Sequence, residues 1–111
     1  MIRIARILIA GVMLAGVLTV ASASPALARC LPDPAPSPYA FTGTVVATRW
    51  DGRLARVRTD GGRVVIVRGG ASRLSVTSVD RYYEVGQRYE FHPTNDRSPY
   101  LDNLCTATRP L

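Results

Sequence analysis

A single histidine, His92, stands in a chain of 111 residues. A metal site gathers three or four ligands, and no second imidazole exists to join this one. His92 ends an alternating run just before Pro93, which reads as a solvated strand end. As a general base it would need a neighbouring nucleophile and an orienting acid, and the sequence supplies no such set. Lysine is absent: all 14 basic residues are arginine, a bias that G+C-rich codons explain without any functional demand. No G-x-S-x-G nucleophile turn, phosphate-binding glycine loop or zinc-ligand spacing occurs. No amphipathic helix of three turns is found, and nothing repeats. These absences leave no catalytic residue, metal ligand or cofactor to nominate, and the chain reads as a non-enzyme.

The one long apolar run, Ile7 to Val20, is shorter than the roughly 20 residues a bilayer span requires. Arg3 and Arg6 precede it, and small residues and Ala26-Leu27-Ala28 follow. That is the basic, apolar and A-x-A organisation of a secretory signal, with Pro25 ending any helix before the cut. A lipid-anchored reading fails at Arg29, because the position before a lipidated cysteine wants a small residue. The expected organisation is therefore a signal peptide over 1–28, a proline-rich extended lead-in over 29–40 and a β-barrel domain over 41–111. The expected destination is extracellular, or the cell-envelope space, with no membrane attachment after cleavage.

Cleavage leaves about 83 residues, a small body for a self-sufficient core. Exported domains of this size usually carry a covalent staple. Cys30 and Cys105 are the only two cysteines, and one pair allows one connectivity. In the chain-entropy model, closing so long a loop stabilises the fold by about 4.5 kcal/mol, a large share of the ~5–15 kcal/mol typical of a domain. A metal site or catalytic thiol is the competing reading, and both lack partners.

Four prolines between Leu31 and Pro38 exclude helix and central strand there. From Phe41 to Val67 the runs FTGTVVATRW, RLARVRT and RVVIV are joined at Asp51-Gly52 and Asp60-Gly61-Gly62, the strongest short-range hairpin signal. Gly43 suggests a bulge or bend in the first run. Arg56 and Arg58 share the solvent face of the second. Val64 to Val67 is continuously apolar, which predicts a central strand buried on both faces. Ser72 to Val79 alternates and reads as a fourth strand, with an irregular crossover as the alternative. Gln87 to His92 turns Tyr89 and Phe91 inward and Arg88, Glu90 and His92 outward. Thr94 to Tyr100 is a surface loop, and Leu101 to Thr108 is a last strand with Cys105 on one face. Five or six short strands and almost no helix predict an all-β fold, a small closed or nearly closed antiparallel barrel, with a sandwich as runner-up.

An amino-terminal cysteine, then Phe41-x-Gly43-x-Val45, Val85-Gly86 before Tyr89 and Phe91, and a terminal Cys105-x-x-Thr108 together resemble the netrin-like modules. These include the tissue inhibitors of metalloproteinases and small exported bacterial relatives. The resemblance implies a five-stranded OB-type barrel whose amino-terminal segment is tied to the body by a disulfide. Inhibitory members look like zinc chelators acting through a free amino-terminal cysteine amine, for which the matching position is Cys30. Arg29 precedes it, and Pro32 stands where a second cysteine is usual. Both departures weigh against inhibition, and the fold carries over better than the activity. The leading expectation is a non-catalytic binding or interaction module; the alternative is a protease inhibitor using its amino-terminal segment.

Charge is uneven along the chain. Between Arg49 and Arg73 seven arginines face Asp51 and Asp60 alone, and such asymmetry favours a polyanionic partner. Arg56, Arg58, Arg63 and Arg68 are the candidate contacts. With Trp50, Tyr82 and Tyr83 they could be read as a single-strand nucleic-acid surface, but export makes an envelope polyanion or a protein the expected partner, and the molecule is expected to be monomeric. Asn95, Asp96, Asp102 and Asn103 lack calcium-loop spacing and read as turn caps. Nothing places Glu84 and Glu90 across a cleft as a glycosidase pair.

Overall fold

The structure, a computed structural model, describes Cys30 and residues 34–111; the expected signal peptide lies outside the described residues. Six strands form one sheet: β1 (Phe41–Arg49), β2 (Leu54–Thr59), β3 (Val64–Arg68), β4 (Arg88–Phe91), β5 (Tyr100–Leu101) and β6 (Arg109–Pro110). Their spatial order is β5-β3-β2-β1-β4-β6, and the sheet curls into an open half-barrel. β1 is shared, pairing along its length with β2 and through Phe41–Thr44 with β4. The β3–β5 pairing is parallel, so the sheet is mixed rather than antiparallel throughout. The chain reaches β5 after passing through β4 on the far side of β1, and so enters alongside β3 in the same direction.

Alternation decides what the half-barrel encloses. Val45, Ala55, Val57, Val65, Val67, Tyr89 and Phe91 point inward and, with Tyr83 and Tyr100, form the buried cluster. Phe91 is fully buried and lies 5.1–5.9 Å, centroid to centroid, from the rings of Phe41, Tyr83 and Tyr89. Such separations fall in the favourable range for aromatic pairs. Gly43 sits on this face because a Cβ there would lie 2.6 Å from Val57 Cγ1 and 2.7 Å from the Arg58 carbonyl. It marks a close approach of strands; the bulge itself falls between Val45 and Ala47.

Three expected strands are altered. β3 is not buried on both faces: Val64 is 59% exposed and Ile66 half-buried, because among the described residues no second layer covers the outer face of the sheet. Residues 72–79 form no strand; β5 and the Ser98 hydroxyl, which accepts from the Ile66 N–H, already occupy the free edge of β3. Of the last expected strand, Leu101 to Thr108, only Leu101 is in a strand, as the end of β5, and β6 falls in the residues after it; Asp102 leaves the sheet to enter a buried polar cluster.

Cys30 and Cys105 are bonded across a sequence separation of 75. The proline-rich segment is held beside this bond by Ser37, whose N–H donates to His92 Nδ1 at 2.9 Å and whose hydroxyl donates to the Pro93 carbonyl at 2.6 Å. His92 is thus 9% exposed, not a solvated strand end as expected, and its acceptor role at Nδ1 places the ring proton on Nε2, 3.3 Å from Glu90 Oε1.

Candidate functional site

Arginines divide into two populations. Arg53 is only 2% exposed; its Nη1 donates to the Ser72 carbonyl and to Asp80 Oδ2, and its Nη2 to the Arg73 carbonyl. It is an interior strut that fastens the 72–79 loop, with Asp80 in turn accepting from the Thr77 N–H and hydroxyl. Arg81 pairs with Asp102 at 3.3 Å. Asp102 also accepts from the Tyr83 hydroxyl at 2.5 Å and from the hydroxyls of Thr106 and Thr108. Every oxygen of this buried carboxylate is therefore satisfied, which makes Asp102 structural and not a turn cap or a calcium ligand. Burial, and then the adjacent Asp102 charge, push the Tyr83 hydroxyl far above its ordinary range, so it stays a neutral donor.

Arg88, Arg97 and Arg109 pair at the surface with Asp60, Asp96 and Glu90. Arg88 is the first cause holding Asp60 below the usual carboxylate range, with Thr42 second. Arg109, then His92, lower Glu90 in the same way. Glu90 is thus held as a surface ion-pair partner of Arg109. Asn95 behaves as expected of a turn residue, its Oδ1 accepting from the Leu101 N–H; Asn103 likewise accepts from the Cys105 N–H.

Among the described residues, Arg49, Arg56, Arg58, Arg63 and Arg73 have no carboxylate partner, and all five are exposed. Arg68 lacks one too, but its Nη2 donates to the Ala71 carbonyl and its guanidinium lies 5.6 Å from the Trp50 ring centroid. It is half-buried and turned toward the hairpin, which separates it from the other three candidate contacts. Arg56 and Arg58 share the outer face of β2 as expected, and Arg63 follows the turn into β3.

Trp50 is no free stacking platform. Its ring lies against both Arg53, at 5.8 Å, and Arg68. Trp50 and Asp51 take φ of 57° and 56°, conformations costing an L-residue about 1–2 kcal/mol each. The loop between β1 and β2 is thus a four-residue turn rather than a two-residue one. Tyr83 is buried, so of the three aromatics only Tyr82 is freely presented.

The outer face also holds apolar side chains. Register puts Ala47, Arg56 and Ile66 in one row across β1, β2 and β3, and Arg49, Leu54 and Arg68 in the next. Ala47, Thr48, Arg49, Leu54, Arg56 and Ile66 line a hollow of about 390 Å³. Small Ala47 between longer neighbours leaves the depression. Sequence reasoning found Arg56 but missed Arg49 and the hollow, because cross-strand register cannot be read without the bulge beside Ala47. Among the described residues, no group of three or more His, Cys, Asp and Glu side chains is placed to hold a metal ion.

No family model, curated protein or solved structure matches this chain.

Proposed function

We propose that the protein is an exported, non-catalytic binding module that recognises an anionic partner through the outer face of the β1–β2–β3 meander. One observation carries the reading: Arg49, Arg56 and Arg58 on that side, and Arg63 at the turn before β3, stand without carboxylate partners among the described residues, while Arg53, Arg81, Arg88, Arg97 and Arg109 are all paired. Unpaired guanidiniums are weakly hydrated, planar donors suited to carboxylate, sulfate or phosphate groups. The partner class is an envelope polyanion or an acidic protein surface.

Export and netrin-like kinship belong to the same proposal. The Cys30–Cys105 bond supports an oxidising destination. The strand order supports an OB-type barrel, since β4 adds to the free side of β1 and β5 lies parallel to β3. Nothing favours the inhibitor alternative, because Cys30 is buried and its reach toward a metal is not on display.

Salt-dependent retention on an anionic matrix tests the reading. Replacing Arg56 and Arg58 together by alanine should release the protein at markedly lower salt, because exposed charge contacts are screened over about 8–10 Å in ordinary buffers. Unchanged elution would refute it.

A further inference from the structure

The outer face of the sheet is striped. β2 presents Leu54, Arg56 and Arg58 along its length, and β3, about 4.8 Å away, presents Val64, Ile66 and Arg68. Cationic and aliphatic side chains therefore run side by side. At the end nearer the β1–β2 turn the hollow over Ala47, Leu54 and Ile66 carries an arginine on either side: Arg49 on β1 and Arg56 on β2. Arg49 lies opposite Leu54, and Arg56 lies opposite Ala47. Arg49 and Arg56 are thus diagonal neighbours, with Cβ atoms about 7–8 Å apart, close enough for both to reach one anionic group.

We propose that this hollow binds a single-chain amphiphilic anion, a fatty carboxylate being the simplest, its head between Arg49 and Arg56 and its tail over Ala47, Leu54 and Ile66 toward Val64. The proposal rests on the anion-binding reading of the arginine face and narrows it. A wholly hydrophilic polyanion would use the arginines and leave Val64, 59% exposed, and Ile66 uncovered. A tail laid along β3 removes that apolar area from water, at about 25 cal/mol per Å².

Size and edge chemistry favour a small molecule over a peptide. A hollow of about 390 Å³ is at the lower end of the range for small-molecule sites, roughly 300–1,000 Å³. An extended peptide gains most of its affinity by adding to a sheet edge. Here the β3 edge is occupied by β5 and by the Ser98 hydroxyl at Ile66, and β6 at the other edge contains Pro110. Head selectivity comes from the two guanidiniums, and tail selectivity from the small side chain of Ala47.

The test is calorimetric titration of the purified protein with dodecanoate below its micelle concentration, with acetate as the head alone, and with polyphosphate as a tail-less polyanion. Dodecanoate is expected to bind one per chain, and acetate to give no measurable heat. Ala47→Leu fills the hollow without touching a charge; it should weaken dodecanoate about tenfold or more, a loss of about 1.4 kcal/mol or greater, and leave polyphosphate binding unchanged. Arg49→Gln with Arg56→Gln should weaken both ligands. Thermal melts establish that each variant is folded, and Ala47→Ser, which leaves the hollow open, should bind dodecanoate like the parent. Dodecanoate binding that is absent, many-per-chain, or indifferent to Ala47→Leu overturns the proposal. If polyphosphate still binds in that case, the broader anion-binding reading survives; if neither ligand binds, both fall.

Discussion

Replacing Arg53 by methionine keeps much of the side-chain length and removes every donor the guanidinium supplies. Three acceptors then lose a partner: the Ser72 and Arg73 carbonyls and Asp80 Oδ2, at 2.6, 2.9 and 3.3 Å. Asp80 keeps the Thr77 N–H and hydroxyl, but its charge sits in a site only 3% exposed with no countercharge. Breaking a buried pair by removing one member costs about 3–5 kcal/mol, because desolvation of the survivor is no longer offset. For a body of this size that lowers the melting temperature by roughly 12 °C or more. Arg53→Met with Asp80→Ala removes the stranded charge as well, so the double variant should be less destabilised than the sum of the singles. The assay is urea denaturation followed by fluorescence of Trp50, the only tryptophan, whose ring rests on Arg53. A single variant within about 1 kcal/mol of the parent, well under the expected loss for a buried pair, would refute the claim that this strut holds the 72–79 loop.

Cys30→Ser with Cys105→Ser should cost about 4.5 kcal/mol, the unfolded-chain entropy of the closed loop, measured by the same denaturation. Gly69→Ala should be more damaging than a typical glycine substitution: its Cβ would fall 2.2 Å from the Arg81 carbonyl oxygen, so the turn after β3 must shift, and amide exchange at Gly69 and Arg81 should rise. Glu90 has a folded-state pKa below its ordinary 4.5, through Arg109 first and His92 second. Its stabilising effect is therefore present above about pH 4.5 and is lost as pH falls through the lowered value. Acidification through that window should lower the protection factor of the Leu111 N–H, the ratio of the unprotected amide's exchange rate to its own at the same pH, since that N–H bonds to the Arg88 carbonyl beside β6; Glu90→Gln should abolish the pH dependence of that protection factor.

Where local pattern and tertiary environment agreed, the fold was legible. β2 alternates buried Ala55 and Val57 with exposed Arg56 and Arg58, and Asp-Gly turns flank it, so its face and neighbours followed from residues alone. The same logic failed at Ser72 to Val79, where Leu74 is 85% exposed: alternation describes a strand only if an edge is free to receive it. His92 was misplaced because a histidine after an alternating strand gives no sign that Ser37, 55 positions earlier, will donate to its ring. Arg53 and Asp102 look in sequence like any charged surface residue. The available hint was the Gly69-Gly70 pair, since a Cβ at Gly70 would come within 2.9–3.0 Å of Asp80 and Arg53; adjacent glycines after a buried strand mark a close approach. Arg49 and the hollow depended on a one-residue bulge, which the sequence does not announce.

On the proposed reading, the filled interior turns recognition to the outer face. Aromatic rings of Phe41, Tyr83, Tyr89, Phe91 and Tyr100 occupy the space the half-barrel encloses, so a ligand entering there would have to displace side chains that stabilise the fold, each burial contributing about 1.5–3 kcal/mol. The outer face carries no such penalty, since among the described residues no second layer covers Val64, Ile66 or Leu54. Topology then sorts a single residue type into two roles. Arginines that the chain brings beside Asp60, Asp80, Asp96, Asp102 or Glu90 close loops and edges, each paired with a carboxylate. Those on β2 and beside its turns meet Ala47, Ile66 and solvent instead, and theirs are the donors that the proposed anionic partner would meet.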